Sequence, residues 1–183
     1  ARQGTVNFNG SDITRLKPHD VFRLGMRLVP QGRNVFPKLT VEENLRLALV
    51  AQKSGDPRPE LDKVYDRFPI LGKRRQQKVK GLSGGERQML AIARGLLGKT
   101  LILLMDEPSE GLAPLIIKEL HDTLLEINTD DITILLAEQN VKMALSACDR
   151  HYILEKGEIR FTGTTEEMSA NKDIMTQTLG VST

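Results

Sequence analysis

Two short stretches concentrate the residue types that could do chemistry. They are Leu82-Ser83-Gly84-Gly85-Glu86-Arg87-Gln88 and Leu101-Ile102-Leu103-Leu104-Met105-Asp106-Glu107-Pro108. In the first, Ser83 is placed to cap a helix, and Gly84 and Gly85 strip side chains from its first turn. Bare N–H groups and the positive helix end then face outward, an arrangement suited to a phosphate. An ordinary glycine-rich helix start has the same features. In the second, an apolar run typical of a buried strand ends in two carboxylates. Ligands of open α/β sheets bind at the carboxyl ends of the strands. One acid there can hold Mg²⁺, directly or through water, and its neighbour can orient and deprotonate a water. An acidic loop after a core strand is the alternative.

The rest of the chain supplies elements to position these groups. Residues 4–10 alternate as a strand that ends in an Asn9-Gly10 turn. A short helix is expected over Pro18–Leu24, with proline in its first turn and Gly25 past its end. Met26–Val29 reads as a strand, and Thr40 with Glu43 as a capping box opening a helix. A loop is expected over 54–59, then a helix carrying Leu61, Val64, Tyr65 and Phe68 and ending at Pro69. A basic loop and a helix from near Ser83 to Leu97 follow. Leu101–Met105 and Ile132–Ala137 are apolar runs expected to be strands buried on both faces, with a helix over 114–127 between them. A short helix over 141–147, a hairpin around Lys156-Gly157 and a capping box at Thr164 and Glu167 complete the chain. Buried strands alternating with helices imply an α/β fold with a parallel sheet. The all-helical stretch from about 40 to 97 reads as a subdomain inserted into it.

Composition narrows the function classes. At 183 residues, 39% hydrophobic and 27% charged, the chain fits one soluble globular domain with an aliphatic core, since Trp is absent. A formal charge of +2 is too small to argue for nucleic acid by itself, and none is expected as a partner. The cluster Lys73, Arg74, Arg75, Lys78 and Lys80 reads as a solvated loop. The lone Cys148 fits a reducing compartment. No run approaches the ~18 apolar residues of a membrane span, so a membrane role must pass through a separate subunit. His19, His121 and His151 lack ligand-like spacing, and His151 beside a strand reads as structural.

Taken together and in order, the two motifs resemble ATP-binding-cassette (ABC) transporter ATPases along essentially the whole chain. Leu82–Gln88 is similar to the family signature, and Leu101–Glu107 to its Walker B strand. Val29-Pro30-Gln31 looks like the Q-loop, and Ser109-Glu110-Gly111-Leu112 like the D-loop. The resemblance implies an ABC-type P-loop NTPase core that binds ATP and Mg²⁺. In it, Glu107 is the catalytic base, Asp106 the metal-side acid, and Gln31 approaches both the metal and the attacking water. Ser83, Gly84, Gly85 and Glu86 would touch a nucleotide held mainly by a second ATPase subunit, paired head to tail as a homo- or heterodimer.

The resemblance also implies integral membrane permease subunits, an extracytoplasmic solute-binding protein acting indirectly, and a peripheral place at the cytoplasmic face of the membrane. No Gly-x-x-x-x-Gly-Lys-Ser/Thr occurs in the sequence. Residues 1–183 are therefore expected to be an ABC ATPase domain lacking its Walker A segment. Its helical subdomain would span about 40–97 and the C-terminal part of its catalytic core about 98–183. Such a chain, truncated at its N-terminus, is expected to bind ATP weakly or not at all by itself and to be inactive alone.

A narrower resemblance rests on Gln31-Gly32-Arg33, on Val35–Leu45, on Ser109-Glu110-Gly111-Leu112-Ala113-Pro114 and on Ala137-Glu138-Gln139-Asn140. These are similar to ATPase subunits of branched-chain amino-acid importers, the second of the two above all, with urea and short-amide importers nearly as similar. Gln139 stands where the family has its switch histidine, and Ala113 where many members have a D-loop acid. Gln139 is expected to position the reacting groups rather than titrate. Two other classes compete: a soluble ABC ATPase of translation or repair, and a cassette that only docks.

Overall fold

The computed structural model describes residues 3–50, 56–171 and 174. The first elements are short. β1 (Asn7–Phe8) and β2 (Ser11–Asp12) pair antiparallel about Asn9 and Gly10, which take φ of 46° and 77°. Two successive left-handed residues make the tight turn that Asn-Gly favours. The strand expected over 4–10 is thus one arm of a two-residue hairpin. Next, α1 (Pro18–Arg23) starts at its proline and leads into β3 (Met26–Val29).

Three strands form the central sheet. β3, β4 (Ile102–Asp106) and β5 (Thr133–Ala137) run parallel in the order β3-β4-β5. The crossover from β4 to β5 is α6 (Pro114–Asn128), as a parallel pair requires. The path from β3 to β4 is a long helical insertion of α2 (Val41–Val50), α3 (Arg58–Arg67), α4 (Pro69–Lys73) and α5 (Gly84–Leu96). An α/β core with a parallel sheet and an inserted helical subdomain is therefore present, as expected. After β5 come α7 (Val141–Ala147), a hairpin of β6 (Arg150–Glu155) and β7 (Glu158–Thr164), and α8 (Thr165–Ala170).

The apolar spacing decides which faces are covered. Val41, Leu45 and Leu49 of α2 are buried with Leu61 and Val64 of α3 and Leu90 and Ile92 of α5. They share one cluster with Val29, Leu103 and Met105 of the sheet and Leu120, Leu124 and Ile127 of α6. The insertion is thus welded to the sheet by a common core. His151 is buried, with Nε2 at 2.8 Å from the Thr165 hydroxyl, which accounts for it structurally.

Three expectations need correction. The sheet is not buried on both faces within the described residues. Arg27, Val29, Leu103 and Met105 point into the core, whereas in-register Leu28, Leu104 and Leu135 point the other way. Leu28 and Leu135 are 62% and 57% exposed. An apolar run could not reveal this, because periodicity is silent where both faces carry leucine. The expected loop over 54–59 ends sooner, since α3 starts at Arg58 with Pro59 in its first turn, where proline is tolerated; residues 51–55 lie outside the described residues. Part of the basic loop is ordered as α4 and as a 3₁₀ turn over Val79–Gly81.

Candidate active site

Glu107 follows the last residue of β4 and turns the chain sharply. Its φ is 46°, a conformation that costs a non-glycine residue on the order of 1–3 kcal/mol. Two backbone bonds enforce it. The Glu107 N–H donates to the Ala137 carbonyl at 2.8 Å, and the Glu110 N–H donates to the Glu107 carbonyl at 3.1 Å. Asp106, one residue earlier, lies exposed at the strand end beside Ala137 of β5. The two acids therefore leave the sheet at its carboxyl edge in different directions.

The Glu107 carboxylate is held from both sides. Gln31, just beyond β3, donates its amide to Oε2 at 3.2 Å, and Gln139, just beyond β5, donates its amide to Oε1. The same Gln31 nitrogen donates to Glu110 Oε2 at 3.0 Å. Gln31 and Gln139, each two residues past its strand, thus converge on the carboxylate one residue past β4. Asn140 caps α7 by accepting from the Met143 N–H at 3.2 Å, which fixes the segment carrying Gln139. Glu138 ties that segment to the loop after β4, accepting from the Ser109 and Asn140 N–H groups at 2.9 Å each.

A second group surrounds the start of α5. Ser83 accepts from the Glu86 N–H at 3.2 Å, and Glu86 accepts from the Ser83 N–H at 2.7 Å, a complete capping box. Glu86 also pairs with Arg74 at 2.8 Å, so its carboxylate is occupied by the cap and by that arginine. Gly84 lies under the Arg33 guanidinium: a Cβ there would sit 3.6 Å from Nη1. Gly85 is buried, and a Cβ there would lie 2.6 Å from the Ile116 side chain of α6.

Arg33 joins the two groups. Its Nε donates to the buried Gln88 at 3.2 Å, and its Nη2 donates to the Glu110 carbonyl at 3.3 Å. The backbone beneath it is unusual, with φ of 77°, 72° and 41° at Gly32, Arg33 and Asn34. Arg94 of α5 steadies that loop by donating to the Asn34 carbonyl at 2.7 Å and lying over the Phe36 ring. Burial lowers the Arg94 pKa from the ordinary arginine value.

Gln31, Glu107 and Gln139 therefore meet directly, and Asp106 sits beside them. Ser83, Gly84, Gly85 and Glu86 form a separate cluster. Arg33, Gln88, Glu110 and Glu138 were not singled out from the sequence as site residues. The available signal was an acid placed shortly after a strand end, at 110 and at 138. Among the described residues no group of three or more His, Cys, Asp or Glu is arranged to hold a metal ion. Mg²⁺ does not need one. It is usually held by one or two carboxylates together with substrate phosphates and waters, and the exposed Asp106 at the end of the central strand fits that habit.

A parallel sheet with paired acids at the end of its central strand and a helical insertion is the core of an α/β P-loop NTPase. The chain belongs to the ABC transporter family, which residues 1–110 match. It is 38% identical to the high-affinity branched-chain amino acid transport ATP-binding protein BraG of Pseudomonas aeruginosa, over 98% of this chain and 77% of that protein. It is 40% identical to the probable branched-chain amino acid transport ATP-binding protein LivF of Archaeoglobus fulgidus, over 97% and 76%. A different cargo appears in the lipopolysaccharide export system ATP-binding protein LptB of Haemophilus influenzae, 32% identical over 97% and 75%. Among solved structures, a nucleotide-free ATP-binding cassette from an ABC transporter superposes with a TM-score of 0.82 at 26% identity, covering 93% of this chain and 73% of that one. No described helix is long and apolar enough to cross a membrane.

Proposed function

We propose that this chain is the ATP-hydrolysing subunit that powers uptake of branched-chain amino acids through a separate membrane permease, at the cytoplasmic face. The observation that carries the ATPase reading is the Glu107 carboxylate, fixed at the end of the central strand by one amide on each oxygen. The names of BraG and LivF support the cargo. Bound Mg-ATP supplies the γ-phosphoryl group, whose transfer to water is catalysed chiefly by positioning and charge stabilisation.

Each side chain then has a task. Glu107 orients a water and takes its proton. Gln31 and Gln139 keep the carboxylate from swinging, and neither titrates near neutral pH. Asp106 and the Gln31 amide oxygen would hold Mg²⁺ on the metal side, which would neutralise charge on the phosphates. Ser83, Gly84 and Gly85 present the start of α5 to a nucleotide bound mainly by a second, head-to-tail ATPase subunit. Glu86 serves that surface indirectly, by completing the cap.

Uptake of labelled leucine and of labelled urea in cells lacking the subunit tests both levels. Wild-type subunit should restore leucine uptake and Glu107→Gln should not. Restoration by Glu107→Gln would remove the ATPase reading. Intact leucine uptake with lost urea uptake would replace the cargo.

A further inference from the structure

We propose that Glu110 is a positioning residue that fixes the Gln31 amide against Glu107; this rests on reading Glu107 as the base. The Gln31 nitrogen has two hydrogens, and it lies 3.2 Å from Glu107 Oε2 and 3.0 Å from Glu110 Oε2. Ionised carboxylates only accept, so the nitrogen must face both acids and the amide oxygen must face away. With Glu107 alone, the amide could turn about its last torsion, which is broad and roughly two-fold. A second acceptor on another residue removes that freedom.

Glu110 is suited to the task because its backbone is clamped from both ends. Its N–H donates to the Glu107 carbonyl at 3.1 Å, so both acids ride on one turn. Its carbonyl accepts from Arg33 Nη2 at 3.3 Å, and Arg33 is itself anchored on buried Gln88. Residues 31 and 33 thus grip residue 110 by side chain and by backbone. This grip lies at the start of a loop in which three successive residues are left-handed. Glu110 sets which way Gln31 presents its oxygen, and the position of Glu107 then depends on a residue that need not touch the reacting atoms.

The test compares wild type with Glu110→Gln and Glu110→Leu. Glutamine keeps an acceptor at the same reach, and leucine removes it at similar size. Amide hydrogen exchange at Arg33 and Asn34 should rise by about tenfold in Glu110→Leu, the scale of one lost charge-assisted bond, and stay within about twofold in Glu110→Gln. In the native subunit, kcat for ATP should fall about tenfold in Glu110→Leu with KM nearly unchanged, and Glu110→Gln should recover most of it. Equal exchange in all three proteins would overturn the tether. Equal loss in both variants would mean that charge, not hydrogen bonding, is at work, and would overturn it too. Altered exchange with normal turnover would overturn the positioning role. Wild-type turnover in Glu107→Gln would instead remove the catalytic reading beneath it, with the exchange difference still in place.

Discussion

The helical insertion and the strand-end cluster around Glu107 are built by opposite means. In the insertion, Val41, Leu45, Leu71, Val79, Leu90 and Ile92 have no exposed surface, and non-directional burial sets their positions. At the strand ends, Gln31, Asp106, Glu110 and Gln139 are exposed and Glu107 is only half-buried. Their geometry comes from directional hydrogen bonds and from a backbone held in a costly conformation. Burial stabilises without caring about angle. Hydrogen bonds at the surface add little net stability yet fix direction closely. Substitutions in the two regions should therefore separate stability from turnover.

The largest separation is expected for Glu107→Gln. Turnover of the native subunit should fall by roughly 10²–10⁴, the scale of a lost positioned base. Thermal stability and ATP binding should hardly move, because the amide still accepts from one neighbour. A melting temperature that falls along with turnover would show that the cluster is structural after all.

Leu90→Ala is the mirror experiment. Emptying a site with no exposure should cost about 2–5 kcal/mol of unfolding free energy. Denaturant titration measures it, and the ATP turnover of the fraction that remains folded should be near normal. A small loss of stability would mean that the core collapses around the gap.

Gln139→Ala removes one of the two amides on Glu107. Turnover should drop about ten- to a hundredfold, the worth of a hydrogen bond to a charged group, with ADP affinity little changed. Normal turnover would make Gln139 a bystander and leave the carboxylate to Gln31 alone.

The smallest effect, and the sharpest discrimination, belongs to Ser83. Ser83→Ala should cost about 1 kcal/mol of stability through the lost cap. Ser83→Asp keeps the cap, because aspartate is as good a capping residue, and so should preserve stability. It also places a negative charge where a phosphate is proposed to sit, so it should lower turnover more than alanine does. The reverse order of the two variants in the ATPase assay would confine Ser83 to capping.

Local signals were legible in the sequence wherever neighbours along the chain decide the outcome. The capping boxes at Thr40 and at Thr164, the stop before Pro69, the span of α7 and the Lys156-Gly157 turn all follow from residues a few positions apart. The two acids at the end of β4 were visible for the same reason. What could not be read is what joins distant segments. Arg33 and Gln88 are 55 positions apart, and Gln31 and Glu110 are 79 apart. No periodicity links such pairs. The cap of Ser83 and Glu86 has the same local spacing, whereas the pairing of Glu86 with Arg74 appears only once the helices are built.

The close approach at Gly85 also bears on how this sequence can vary. Gly85 and Ile116 belong to different helices, and any side chain at 85 would have to displace one at 116. The two positions are therefore expected to co-vary: a larger residue at 85 should be tolerated only beside a smaller one at 116. A library randomised at both sites and selected for folded protein would recover such pairs jointly, and almost never a larger residue at 85 with Ile116 retained.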